Sequence, residues 1–90
     1  MAYQLEFTNI FEKNYKKLSN DLKDKVDKAL ISLSEGKPYP KGLRVKKMQG
    51  YDSVFEASPT MSCRITFNYD NPEYIIFRNV GAHDKTLKNP

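Results

Sequence analysis

The chain is short of the residues from which many catalytic and structural devices are built. Its single cysteine, Cys63, excludes an internal disulfide framework and a cysteine metal site. Its single histidine, His83, stands without a spaced carboxylate cluster, so no metal site and no cofactor is expected. Tryptophan is absent, and six tyrosines and five phenylalanines supply the bulky apolar groups. The four glycines form no phosphate-cradling loop, and no Ser/His/Asp constellation has a recognisable spacing. No apolar run approaches the roughly 18 residues of a membrane span. The opening MAYQLEFTN lacks the basic and apolar regions of a secretory signal, so a cytoplasmic protein with no membrane partner is expected.

What is present is compact and basic. Ninety residues suit a single domain spanning 1–90, whose modest core makes each apolar position count. Fifteen Lys and Arg against eleven Asp and Glu leave a net charge of +4, which favours an anionic partner, either nucleic acid or an acidic protein.

Hydrophobic periodicity divides the chain. Tyr3, Leu5 and Phe7 alternate with Gln4 and Glu6, as in a half-buried strand. Thr8 or Asn9 can cap a helix whose apolar stripe is Phe11, Tyr15 and Leu18. The break at 19–21 opens a second helix carrying Leu22, Val26, Ala29, Leu30 and Leu33, stopped by Gly36 and Pro38. Residues 36–42 read as a loop and Gly50 as a turn. Strands are predicted over 53–58, 61–69 and 74–80, separated by turns at Pro59-Thr60 and at DNPE, 70–73. The order is β-α-α-β-β-β. It predicts an α+β fold with the N-terminal strand and a helical hairpin packed on one face of a twisted antiparallel sheet.

In the strand at 61–69, Met61, Cys63, Ile65, Phe67 and Tyr69 share one face, and Ser62, Arg64, Thr66 and Asn68 the other. A polar face bearing an arginine is the first place to look for function. A guanidinium there could grip phosphate through its planar fork, or could simply pair with Glu56. The imidazole of His83, followed at once by Asp84, could move protons at neutral pH, or could be a plain turn residue. Lys41, Arg44, Lys46 and Lys47 form the densest basic cluster, suited to a phosphate backbone or to a solvated face. Tyr39, Tyr51 and Tyr74 offer stacking surfaces for bases, though such rings are equally ordinary packing groups.

These segments together resemble the RelE/ParE superfamily of bacterial toxin–antitoxin toxins, and more closely its RelE-like mRNA interferase branch. YQLEFTNIFEKNYKKLS is similar to the family's first strand and helix, KKMQGYDSVFEAS to the approach to its second strand, CRITFNY to its third strand, and FRNVGAHD to its terminal strand. The resemblance implies an endoribonuclease that cuts mRNA, commonly on the ribosome, and so inhibits translation. Its chemistry would be metal-independent attack of the ribose 2′-OH on the adjacent phosphate. Arg64 would stabilise the charge building on phosphate, and His83 would protonate the leaving 5′-oxygen. Glu56 or a lysine would be the base, with Arg44, Lys46, Lys47 and Arg78 in contact with substrate. The implied partner is an acidic antitoxin, which would supply any DNA binding.

Two positions depart from the family pattern. Asn79 stands where many members carry arginine, and Arg78 lies one residue earlier, so either Arg78 is structural or a bulge re-aims it. Leu87 replaces an aromatic beyond the histidine. The alternatives are a ParE-type gyrase inhibitor and a non-catalytic module that binds RNA or antitoxin.

Overall fold

The computed structural model describes residues 2–90. Strand β1 (Gln4–Phe7) leads into helices α1 (Asn9–Lys16) and α2 (Asn20–Glu35). A 3-10 turn (Lys41–Leu43) precedes β2 (Lys46–Lys47), β3 (Phe55–Ala57), β4 (Cys63–Asp70) and β5 (Tyr74–Ala82), and α3 (His83–Lys88) follows β5 directly. The architecture is α+β, with one five-stranded sheet in the order β1-β5-β4-β3-β2.

Local chemistry sets the helix ends. Thr8 Oγ1 accepts the Phe11 N–H at 3.0 Å, and Ser19 Oγ accepts the Leu22 N–H at 3.2 Å, so each helix begins on a side-chain oxygen. Gly36, at φ 85°, ends α2 in a conformation costly for a residue with a Cβ. Thr8 also donates to the Arg78 carbonyl at 2.7 Å, pinning the start of α1 to β5.

The sheet is mixed rather than wholly antiparallel. β2 to β5 pair antiparallel, but β1 lies parallel to β5, with Leu5 opposite Ile75 and Phe7 opposite Phe77. Alternation in a sequence announces a strand and says nothing of its partner or direction. Placing β1 beside β5 pairs the free edge of β5 and makes it an interior strand of the sheet.

One sheet face carries that core. Phe11, Val26, Leu30 and Leu33 of the helices pack among Ile65, Phe67, Ile75 and Phe77 of the sheet. Phe77 is fully buried, with the rings of Phe7, Phe11 and Phe67 at 5.4, 5.9 and 5.9 Å between centroids. Burying such a ring contributes about 2–3 kcal/mol, and offset aromatic pairs add somewhat more.

The opposite face is less open than alternation in β4 implies. Thr66, on that face, is completely buried, and Arg64 is only partly exposed. α3 packs against both β4 and β5, and the C-terminal carbonyls of Asn89 and Pro90 reach back to Asn79 and Arg78. No helix among the described residues is long and apolar enough to cross a membrane.

Candidate functional site

Arg64 sits mid-sheet, opposite Gly81 on β5. Instead of projecting outward, its side chain is nine-tenths buried. Nη1 donates to the carbonyls of Thr60, Met61 and Cys63 at 3.1, 3.1 and 2.9 Å, folding the guanidinium back onto the β3–β4 turn. Nε lies 3.7 Å from Glu56 Oε1, too far for a hydrogen bond and close enough for an ion pair. The pairing with Glu56 anticipated from sequence is therefore present, but it is buried rather than solvated. Alternation names the face a residue takes and is silent on whether a turn closes over it.

His83 is not a free turn residue: it opens α3. Its N–H donates to the Ser62 carbonyl at 2.8 Å, tying the start of α3 to the turn that holds Arg64. The ring is about half exposed, and Nδ1 lies 2.9 Å from Asp84 Oδ1. In an extended segment neighbouring side chains would point apart; at a helix start they meet. That contact holds the Asp84 carboxyl below its ordinary range, first by the hydrogen bond and then by the imidazole's charge. A carboxylate only accepts hydrogen bonds, so Nδ1 carries the hydrogen. Nε2 then has no protein partner among the described residues, on a ring that is half exposed, the arrangement a proton-transfer group needs.

The remaining candidates are dispersed. Lys46 pairs with Glu56 in register, whereas Lys47 pairs with Phe55, so consecutive lysines start from opposite faces of the edge strand. Arg44 caps the 3-10 turn in a left-handed conformation, φ 51°, within the loop. Arg78 is the inserted residue of a bulge. Thr66 pairs with Asn79 and Phe67 with Phe77, leaving Arg78 unopposed. The bulge turns its guanidinium onto the polar face, where Nη1 donates to Asn68 Oδ1 at 3.1 Å.

Asn79 has a structural post that the sequence did not disclose. Its Oδ1 accepts from Asn14 Nδ2 at 2.7 Å and from the Val80 N–H at 2.8 Å, while its Nδ2 donates to the Asn89 carbonyl at 2.7 Å. One buried amide thus joins α1, β5 and the end of α3. Gly81 lets α3 approach: a Cβ there would lie 3.1 Å from Thr86 Oγ1, on a backbone at φ +154°.

No family model and no curated protein matches the sequence. Solved structures do match. The YafQ toxin of E. coli strain BL21(DE3) superposes with a TM-score of 0.80 at 15% identity, over 93% of this chain and 97% of that one. A chain of the RelB–RelE antitoxin–toxin complex from Methanococcus jannaschii gives 0.74 at 19% identity, over 94% and 99%. A chain of the intact E. coli RelBE complex gives 0.72 at 19% identity, over 90% and 96%. At such identities the likeness is one of fold: this chain has the fold of the RelE-like toxins.

Proposed function

We propose that this protein is the toxin of a toxin–antitoxin pair and acts as a metal-independent endoribonuclease on mRNA, engaged on the ribosome. The observation that carries the reading is the His83–Asp84 pair. Its Nδ1–H is fixed on a carboxylate and its Nε2 is free, at the end of a face shared with Arg64, Arg78 and Lys46. The fold shared with YafQ and RelE supports it.

In the proposed reaction the ribose 2′-oxygen attacks the adjacent phosphorus as a base removes its proton. The O2′–P bond forms, the P–O5′ bond breaks, and protonated His83 passes the Nε2 proton to the departing 5′-oxygen. The products are a 2′,3′-cyclic phosphate and a 5′-hydroxyl. Arg64 contributes a fixed positive charge that favours the phosphorane-like state. Glu56, as the base, must give up its pairing with Arg64 when substrate enters, and the approaching phosphate supplies the replacement. The partner under this reading is an acidic antitoxin complementary to the +4 chain.

A second reading draws on the same side chain. Because Arg64 is committed to three carbonyls and a carboxylate, the polar face could hold RNA without cutting it. Induced expression of wild type and His83→Gln, with primer extension of cellular mRNA, separates the two. New 5′ ends within translated codons for wild type alone support the nuclease. RNA binding without new ends supports the binding module, and growth arrest with altered DNA supercoiling instead points to gyrase.

A further inference from the structure

A second basic site lies away from His83. On the helix side of the sheet, at its Tyr69 end, is a cleft of about 490 Å³ walled by Tyr3, Tyr39 and Tyr69 and rimmed by Lys37, Lys46 and Lys47. Its remaining lining is apolar, and no carboxylate faces it. Among the described residues none of the three ammonium groups has a carboxylate within 4.0 Å. Three unpaired cations around aromatic walls call for an anion that carries a flat ring.

The phenols add a donor. The hydroxyls of Tyr39 and Tyr69 hydrogen-bond to each other, which uses one of their two hydrogens and leaves the other for a ligand. The Tyr69 ring is held by Tyr3 at 5.4 Å and by Phe55 at 5.3 Å, so the wall is already in place before anything binds. Burial, and then the bond to Tyr39, push the Tyr69 hydroxyl well above its ordinary range, so it stays neutral and does not repel an anion.

Lys46 links this cleft to the polar face. By register it shares a face with Glu56, and it also lines the cleft at the sheet edge. β2 is an edge strand of two residues, narrow enough for a bound chain to pass around. From β4 to β2 is two strand spacings, about 10 Å, or about three stacked nucleotides.

We propose that the cleft is a nucleotide subsite for single-stranded RNA, gripping a phosphate with Lys37 and Lys47 and stacking a base on the tyrosine wall, a few nucleotides from the polar face. This rests on RNA being the ligand of that face, and it assigns a length of RNA that the cleavage chemistry alone does not require. An acidic peptide satisfies the lysines but makes no use of the aromatic wall.

The test uses uncleavable 2′-O-methyl RNA, a trimer and a nonamer, with binding followed by fluorescence anisotropy at several salt concentrations. Wild type is expected to bind the nonamer far more tightly. Lys37→Ala should weaken the nonamer about tenfold and lower its salt slope by about 0.7, the value for one lost phosphate contact on a single strand. The trimer should be unaffected, and an unchanged melting temperature shows that the variant is folded. Equal nonamer affinity and slope in Lys37→Ala overturns the subsite, as does a Glu-rich peptide whose binding, unlike that of RNA, depends on Lys37. Unmodified RNA cut by wild type in a parallel assay, with no Lys37 effect on binding, removes the subsite and spares the nuclease. Lys37-dependent binding without any cleavage does the reverse.

Discussion

The main-chain N–H of His83 donates to the carbonyl of Ser62 at 2.8 Å, and the Arg64 guanidinium folds onto the same turn, at Thr60 and Met61. Two residues 19 positions apart in the chain are thereby anchored to one four-residue stretch. What fixes that stretch therefore governs both groups.

Thr60 is its pin. Its Oγ1 accepts the N–H groups of Cys63 at 3.1 Å and Ser62 at 3.3 Å. Thr60→Val keeps the shape and removes the acceptor, at a stability cost of about 1 kcal/mol. Cleavage should fall much further, on the order of ten- to a hundredfold, because catalytic groups lose rate steeply when misplaced. Urea unfolding beside an RNA cleavage assay checks the split; losses in equal proportion would show that the turn only holds the fold.

Asn79 explains why an arginine is absent from its position. Asn79→Arg would delete the three hydrogen bonds that the amide makes, and should destabilise the protein by about 1–3 kcal/mol. Asn79→Ala should cost about the same, because it deletes the same three bonds. In both variants the amide protons of α3 should exchange faster than those of β4. A stable, more active Asn79→Arg protein would mean that the amide is a replaceable filler.

Tyr15 couples the two long helices through a hydroxyl that donates to Asp27 Oδ1 at 2.6 Å. That bond, then burial and the Asp27 charge, push its pKa up from 10.0 to about 12. A raised folded-state pKa gives stability that is complete below pH 10 and lost as pH climbs towards 12. Tyr15→Phe should therefore be less stable than wild type at neutral pH, by about 1 kcal/mol. The gap should narrow steadily from pH 10 upward, as seen in denaturant titrations at successive pH values. A gap constant with pH would mean that the contact with Asp27 does not form in solution.

Much of the scaffold was legible because it rests on short-range chemistry. Thr8, one of two candidate caps, and Ser19, in the break at 19–21, cap α1 and α2; Phe11 and Val26 mark the buried helix faces, and Ile65 and Phe67 point to the core. The elements that escaped are those made by tertiary contact. β2 is two exposed lysines with no alternation, and exists because β3 pairs with it. α3 has six residues and no side-chain cap, too short to persist on helix propensity alone. It is held by Ser62, Asn79 and the close approach at Gly81. The bulge at Arg78 was one of two outcomes open from sequence, and pairing on β4 decides it. At the candidate site, residue types and faces could be read, whereas the enclosure of Arg64 and the contact between His83 and Asp84 could not. Both depend on how a turn and a helix start close over the sheet.

In the proposed reaction His83 passes a proton to the 5′-oxygen of the broken phosphodiester. Purified wild type and His83→Gln should be incubated with ribosomes paused on a defined mRNA, and the fragment ends identified chemically. Wild type is expected to leave 2′,3′-cyclic phosphate and 5′-hydroxyl ends, and the variant to lose at least a hundredfold, on the order of a general acid's contribution. Equal cleavage by the folded variant, or ends bearing 3′-hydroxyl and 5′-phosphate, would contradict it.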